Sequence, residues 1–317
     1  MAGRVPVDEP VPGALHHTEV TGRDGRPTPS HTVQPLPTSP YLLMLFGSLA
    51  FAAMAALTHA AGQRCDWQVV AFFRSFLVFV FVGIYARSRG TKLVLWRPAI
   101  LWMRSGAGSL SLVCTFYALT RLHPGSVLTL TNMFPIWVAL LAWPVLGEWP
   151  SGRVWLAVLS AAAGVALVQQ PELSGNTLAL WVAFGASLAT AVAMLGLHHL
   201  QDVAPGAVVV HFSAVSMAFC VAAFFVFPHS PSASLAIDSA ALPLLLGVGL
   251  TASVGQLLLT RAFAAGEPAK VSVVGLSQVV FALALDVAWF GQPINGLSLL
   301  GTALILGPTA WVMLRRG

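Results

Sequence analysis

The sequence predicts an all-α integral membrane protein of ten transmembrane helices, arranged as two inverted five-helix repeats. Three observations lead there. The chain is 57% hydrophobic and only 9% charged, against about 25% charged in soluble domains, and its mean hydropathy is +0.80. Apolar runs recur along it at close to the roughly 20 residues that a bilayer core demands. The chain also resembles itself: Leu119-Thr120-Arg121 precedes a run ending at Gly147-Glu148, and Leu259-Thr260-Arg261 precedes one ending at Gly291-Gln292, each with one further run after it.

Phe134 to Val168 shows the pattern most clearly. Two apolar runs flank the turn Gly147-Glu148-Trp149-Pro150-Ser151-Gly152, and Glu148 and Arg153 are the only charges between Arg121 and Glu172. Phe281 to Leu314 repeats this hairpin near the C-terminus. Ahead of the spans, residues 1–39 carry Pro6, Pro10, Pro12, Pro27, Pro29, Pro35 and Pro37 among polar and charged residues, with no apolar signal segment. Such a composition predicts a disordered cytoplasmic tail.

The spans are expected at 41–60, 67–86, 98–119, 124–146, 153–169, 177–197, 206–227, 241–262, 269–289 and 295–313. They divide into repeats over 40–170 and 176–314. An odd number of spans per repeat makes the second copy enter the membrane upside down, the architecture of alternating-access transporters. Charge supports the count. With a cytoplasmic N-terminus, the inner segments hold Arg4, Arg23, Arg26, Arg87, Arg89, Lys92, Arg97, Arg153, Arg261, Lys270, Arg315 and Arg316, while Arg64 and Arg121 lie outside and Arg74 and Arg104 within spans. This bias places both termini in the cytoplasm. The Arg-rich, Ala/Val/Gly-rich composition further suggests a bacterial inner membrane. The pI near 9.6 has the same origin, so nucleic acid is not an expected partner; the partners expected are a small solute and the lipid bilayer, with the chain a monomer or homodimer.

Other classes find little support. Cys65, Cys114 and Cys220 are dispersed without metal-ligand spacing, and there is no HExxH, GxSxG or GxxxxGK[ST] signature. No metal, no cofactor and no catalytic set are expected, nor ATP-driven pumping. Small-residue rows, among them Ser105/Ser109, Ala107/Ser111, Ser160/Gly164, Gly249/Ser253 and Thr251/Gly255, let helix backbones approach closely in lipid.

Several segments together resemble the EamA-type members of the drug/metabolite transporter superfamily. They are Phe73-Arg74-Ser75, Phe116-Tyr117-Ala118-Leu119, Pro124, Pro135-Ile136, Leu146-Gly147-Glu148 and Gly164. The resemblance covers about 41–313. The second half departs from it where Gln292 replaces a usual Glu and Val279 a common Pro. The resemblance implies secondary transport of a small metabolite or drug-like solute.

Polar groups inside a bilayer are costly and each needs a reason. Arg74 and Arg104 are candidate binders of an anionic or zwitterionic solute, against snorkelling or interhelical roles. Asn132, with Thr129 and Thr131 nearby, Gln256 and Gln278 are candidate cavity amides, against interhelical hydrogen bonding. Asp286 is a candidate proton-coupling carboxyl, against pairing with a base. Glu148 reads as a capping or loop-pairing residue, and His59 and His211 are candidate proton carriers, against satisfied polar contacts. Trp102, Phe116, Tyr117 and Trp137 either line the cavity or pack. The function expected is alternating-access transport, with the cavity between spans two, three, four, eight and nine. A lipid-modifying enzyme and a non-transporting adaptor are the competing classes.

Overall fold

In hydrocarbon each backbone N–H and C=O needs an internal partner, so an apolar run resolves into helix. The computed structural model describes residues 39–96, 98–119, 121–171, 176–226, 239–291 and 294–314. Among them the helices are α1 (Pro40–Gly62), α2 (Trp67–Ser88), α3 (Ala99–Leu119), α4 (Pro124–Thr131), α5 (Phe134–Leu146), α6 (Gly152–Gln169), α7 (Thr177–His198), α8 (Pro205–Val226), α9 (Ala241–Ala265), α10 (Pro268–Gly275), α11 (Ser277–Phe290) and α12 (Gly296–Leu314). They form ten spans long and apolar enough to cross a membrane. The N-terminal tail, Arg97, Thr120, Glu172, Gln292, Arg315 and Arg316 lie outside the described residues.

Helix boundaries follow local chemistry. Prolines open α1, α4 and α10 at the first turn, where no N–H partner is lost. Asp66 accepts the Trp67 N–H at 2.8 Å and Asn176 the Ala179 N–H at 3.0 Å, capping α2 and α7. Gly147 and Gly291 end the fourth and ninth spans in the left-handed conformation, at φ 75° and 64°, the conformation glycine adopts without steric cost.

Both of those spans are broken, where the sequence predicts one helix each over 124–146 and 269–289. In the fourth, Pro135 has no N–H to continue the ladder. The chain turns through Asn132 and Met133, and the Thr131 hydroxyl and Asn132 amide donate back to backbone carbonyls of α4. The ninth breaks at Leu276 with no proline. There the Gly275 carbonyl accepts the Ser48 hydroxyl of α1 at 3.2 Å, which replaces an intrahelical partner.

Contacts between span ends establish the up-and-down path. At the end where α1 enters, called here the entry end, Arg261 donates to the Tyr85 hydroxyl at 3.2 Å and His198 Nδ1 lies 3.3 Å from the Phe263 carbonyl. At the opposite, exit end, Gln170 donates to Asn295 at 3.0 Å and Trp67 stacks on Phe116 with centroids 5.7 Å apart. The helix pairings survive exchange of the two halves. Helix α1 packs on α9 and α7 on α3; α2 packs on α8 and α6 on α12; the broken fourth span packs on α7, the broken ninth on α1.

The small-residue rows sit where helices pack closely, against backbone or side chain. A Cβ on Gly164 would lie 2.6 Å from the Gly301 carbonyl oxygen, one on Gly249 2.4 Å from Leu77, and one on Gly255 2.8 Å from Phe51.

Buried apolar side chains are distributed unequally between the two ends. From the entry end to mid-depth lie a large core that includes Leu101, Leu197, Leu200, Leu259, Phe263, Val271 and Val312 and two smaller groups, Val78, Val82, Val209, Val210 and Ala252 on α2, α8 and α9, and Val138, Ala191 and Leu195 on α5 and α7. At the exit end they fall into two separate groups. One holds Ala61, Cys65, Val70, Ala241 and Leu245; the other holds Ala118, Leu122, Val127, Ala179 and Ala183. The first belongs to α1, α2 and α9, the second to α3, α4 and α7, with the Trp67–Phe116 stack reaching across between them.

Candidate functional site

Arg104 lies in the second turn of α3 and is 1% exposed. Its chain is admitted by two glycines: a Cβ on Gly196 of α7 would come within 3.1 Å of the Arg104 Cβ, and one on Gly108 within 3.1 Å of Nη1. The guanidinium rests over the Phe212 ring of α8, with Cζ 3.9 Å from the centroid. Its Nη2 donates to Gln256 Oε1 of α9 at a long 3.4 Å, while Nε and Nη1 are buried without a hydrogen-bond partner. A desolvated cation–π contact contributes about 2 kcal/mol, whereas burying an ion costs several kcal/mol. The ring and the amide therefore only partly offset the burial, and two donors remain to be filled.

Arg74, in the second turn of α2, is half-buried and donates Nε to the Met54 sulfur of α1 at 3.2 Å. A thioether is a weak acceptor. The two guanidinium groups lie close enough to interact electrostatically. Arg74 also interacts with Cys220. That cysteine lines a largely apolar cavity of about 290 Å³, together with Gln68, Phe72, Phe73 and Phe224.

Beside Arg104, Ser105 and His211 Nδ1 share a hydrogen bond of 2.8 Å and Trp102 meets His211 edge-on at 4.6 Å. A 2.9 Å hydrogen bond between Ser109 and Ser216 continues this polar seam between α3 and α8. Hydrogen bonds of this kind hold helices together in lipid; His211 makes one through Nδ1, while its Nε2 is buried without a hydrogen-bond partner. Trp137 packs and donates to Ser187 at 2.9 Å.

Of the predicted residues, Arg104 and Gln256 are in contact, with Arg74 in electrostatic range. Asn132 and Gln278 stand elsewhere, at the breaks of the fourth and ninth spans, both partly buried. The Asn132 amide is engaged by the Leu128 carbonyl at 2.7 Å. Asp286 is separate again: it is partly buried toward the exit end of α11 and its electrostatic neighbour is His59 of α1. Glu148 is exposed at the entry end. Among the described residues no group of His, Cys, Asp and Glu could hold a metal ion. Phe212, Gly108 and Gly196 escape sequence reading because an apolar or small residue in a span reads as packing until the neighbouring helix is known.

Comparison with known proteins gives three results. The family described as the EamA-like transporter family matches the chain twice, over residues 38–169 and 173–314. The pseudopaline exporter CntI of Pseudomonas aeruginosa, in strains UCBPP-PA14 and PAO1, is 27% identical over 275 residues, 84% of this chain and 92% of the relative. One solved crystal structure, 17% identical, superposes with a TM-score of 0.76 over 87% of this chain and 97% of its own; at that identity the likeness is one of fold.

Proposed function

The chain belongs to the EamA-like transporter family, a multi-pass membrane transporter of a small solute rather than an enzyme, and from that premise we propose that it works by alternating access between two inverted halves. The observation that carries this is the symmetry of the helix pairings, which survive exchange of the two halves. Exchange of the halves relates two equivalent states, one open to each face. The halves are residues 40–170 and 176–314, and the N-terminal tail and entry end are cytoplasmic, as the basic residues favour. A bacterial inner membrane suits the composition. One chain contains both halves, so one chain is the transporting unit.

The solute is anionic or zwitterionic. Arg104 and Arg74 attract its acidic group and Gln256 orients it. Asn132 and Gln278 act at the two helix breaks, where the backbone ladder is interrupted. Asp286, beside His59, takes up the proton that couples transport to the gradient. The related pseudopaline exporter suggests outward movement of the solute.

The test is a cysteine pair at the exit mouth. Cross-linking Trp67→Cys with Phe116→Cys joins the two groups, so proteoliposome flux stops on oxidation and returns on reduction. Full flux through the cross-linked protein rules out alternation at this mouth. In the same vesicles, Asp286→Asn abolishes the response of flux to a pH gradient while solute exchange at equal pH continues; a preserved response removes Asp286 from the coupling.

A further inference from the structure

We infer that the solute is bound as a dianion, with one acidic group on Arg104 and a second on Arg74. This rests on the reading of the region as the transport site. The argument is one of charge. Each guanidinium is a cation largely removed from water, and like charges held in one region of low dielectric repel. In a protein that buries such a pair for structure alone, carboxylates are placed beside them.

Here the described acids are committed elsewhere. Asp66 caps α2, Glu267 pairs with Lys270 at 2.7 Å, Asp286 lies by His59, and Glu148 and Asp202 are exposed at the entry end. Arg104 keeps Nε and Nη1 unfilled, and the acceptor found for Arg74 Nε is a sulfur. A singly charged solute would leave one uncompensated cation in the cavity. Two acidic groups on one small molecule neutralise the site, and each takes charge-assisted hydrogen bonds from its own guanidinium.

The accessibility of the two arginines differs in a way that suits a passing dianion. Arg74 is half-buried near the divided exit end, whereas Arg104 is covered by the entry-end core around Leu101. In this state Phe212 and Gln256 hold Arg104 in place of an anion. The opposite state uncovers Arg104 first, so the two groups of the solute are engaged and released in sequence.

The experiment is thermal unfolding of the purified full chain in lipid nanodiscs with two matched series at constant ionic strength. One series is malonate, succinate, glutarate and adipate; the other is acetate, propionate and butyrate. Stabilisation by a ligand follows its affinity for the folded state. At least one dicarboxylate is expected to stabilise with a half-saturation about tenfold or more below that of every monocarboxylate, the size of one added hydrogen bond to a charged group. Arg74→Gln and Arg104→Gln each reduce that dicarboxylate to the monocarboxylate level, and Arg104→Lys, which keeps the charge if the glutamine variant does not fold, retains part of the preference.

Equal action of both series overturns the two-charge assignment, as does stabilisation by none of the dicarboxylates. Either result leaves alternating access standing on the cysteine-pair measurement, which is read independently of any anion.

Discussion

Arg104 shows how much a single side chain depends on its neighbours' lack of one. A Cβ on Gly108 would lie 2.9 Å from the Phe212 ring and 3.1 Å from Arg104 Nη1. Gly108→Ala therefore pushes the ring and the guanidinium apart. Both are ends of movable side chains, so the expected cost in stability is small, under about 1 kcal/mol, because alanine also favours the helix. The flux is expected to fall severalfold all the same, and comparing flux with melting temperature in one preparation checks it; normal flux removes Phe212 as the support of Arg104. The polar candidates are legible one by one, because an Arg or Gln amid apolar residues stands out. Their meeting is not, since Arg104 and Gln256 are 152 residues apart and no local pattern pairs α3 with α9.

At the scale of the element, the two broken spans differ in cause. Pro135 explains the fourth, and Pro135→Ala restores the missing N–H donor. The expected outcome is a straighter span, a melting temperature that is unchanged or higher, and lower flux, since Pro135 sits at no cost in the first turn of α5 while the span is broken but blocks the ladder of a continuous helix. Unchanged flux takes the break out of the mechanism. The ninth span has Val279 at the position matching Pro135, yet it breaks at Leu276, where Ser48 of α1 engages the Gly275 carbonyl. Ser48→Ala leaves that buried carbonyl without its partner and is expected to lower stability by about 1–3 kcal/mol. Thermal unfolding measures this, and no loss means that another donor replaces the hydroxyl. The first break is thus written in the sequence as a proline, while the second carries no such mark and meets its hydrogen-bond partner on α1, far away in the chain.

Over the whole molecule, the halves are tied together where α6 and α12 touch backbone to backbone. A Cβ on Gly164 or Gly301 would meet backbone atoms of the facing helix at 2.6 Å, whereas Gly185 and Gly307 have nothing within 4 Å of theirs. Backbone yields less readily than a side chain. Gly164→Ala and Gly301→Ala are expected to destabilise by about 1–3 kcal/mol, and Gly185→Ala and Gly307→Ala to be neutral or stabilising by up to about 1 kcal/mol. Unfolding all four variants under one condition checks the contrast, which fails if the two pairs behave alike. Hydropathy, loop charge and the recurring Gly-capped hairpins determined by themselves that the chain crosses a membrane ten times and belongs with small-solute transporters. Those features follow from the cost of exposing backbone and charge to hydrocarbon, a cost each segment meets on its own. Tertiary structure alone decided that Arg104 meets Gln256 over the Phe212 ring, that α6 and α12 touch backbone to backbone, and that the ninth span bends without a proline. Each of these depends on which faces of distant helices come together, and in a chain whose spans are apolar all round, periodicity does not specify a face.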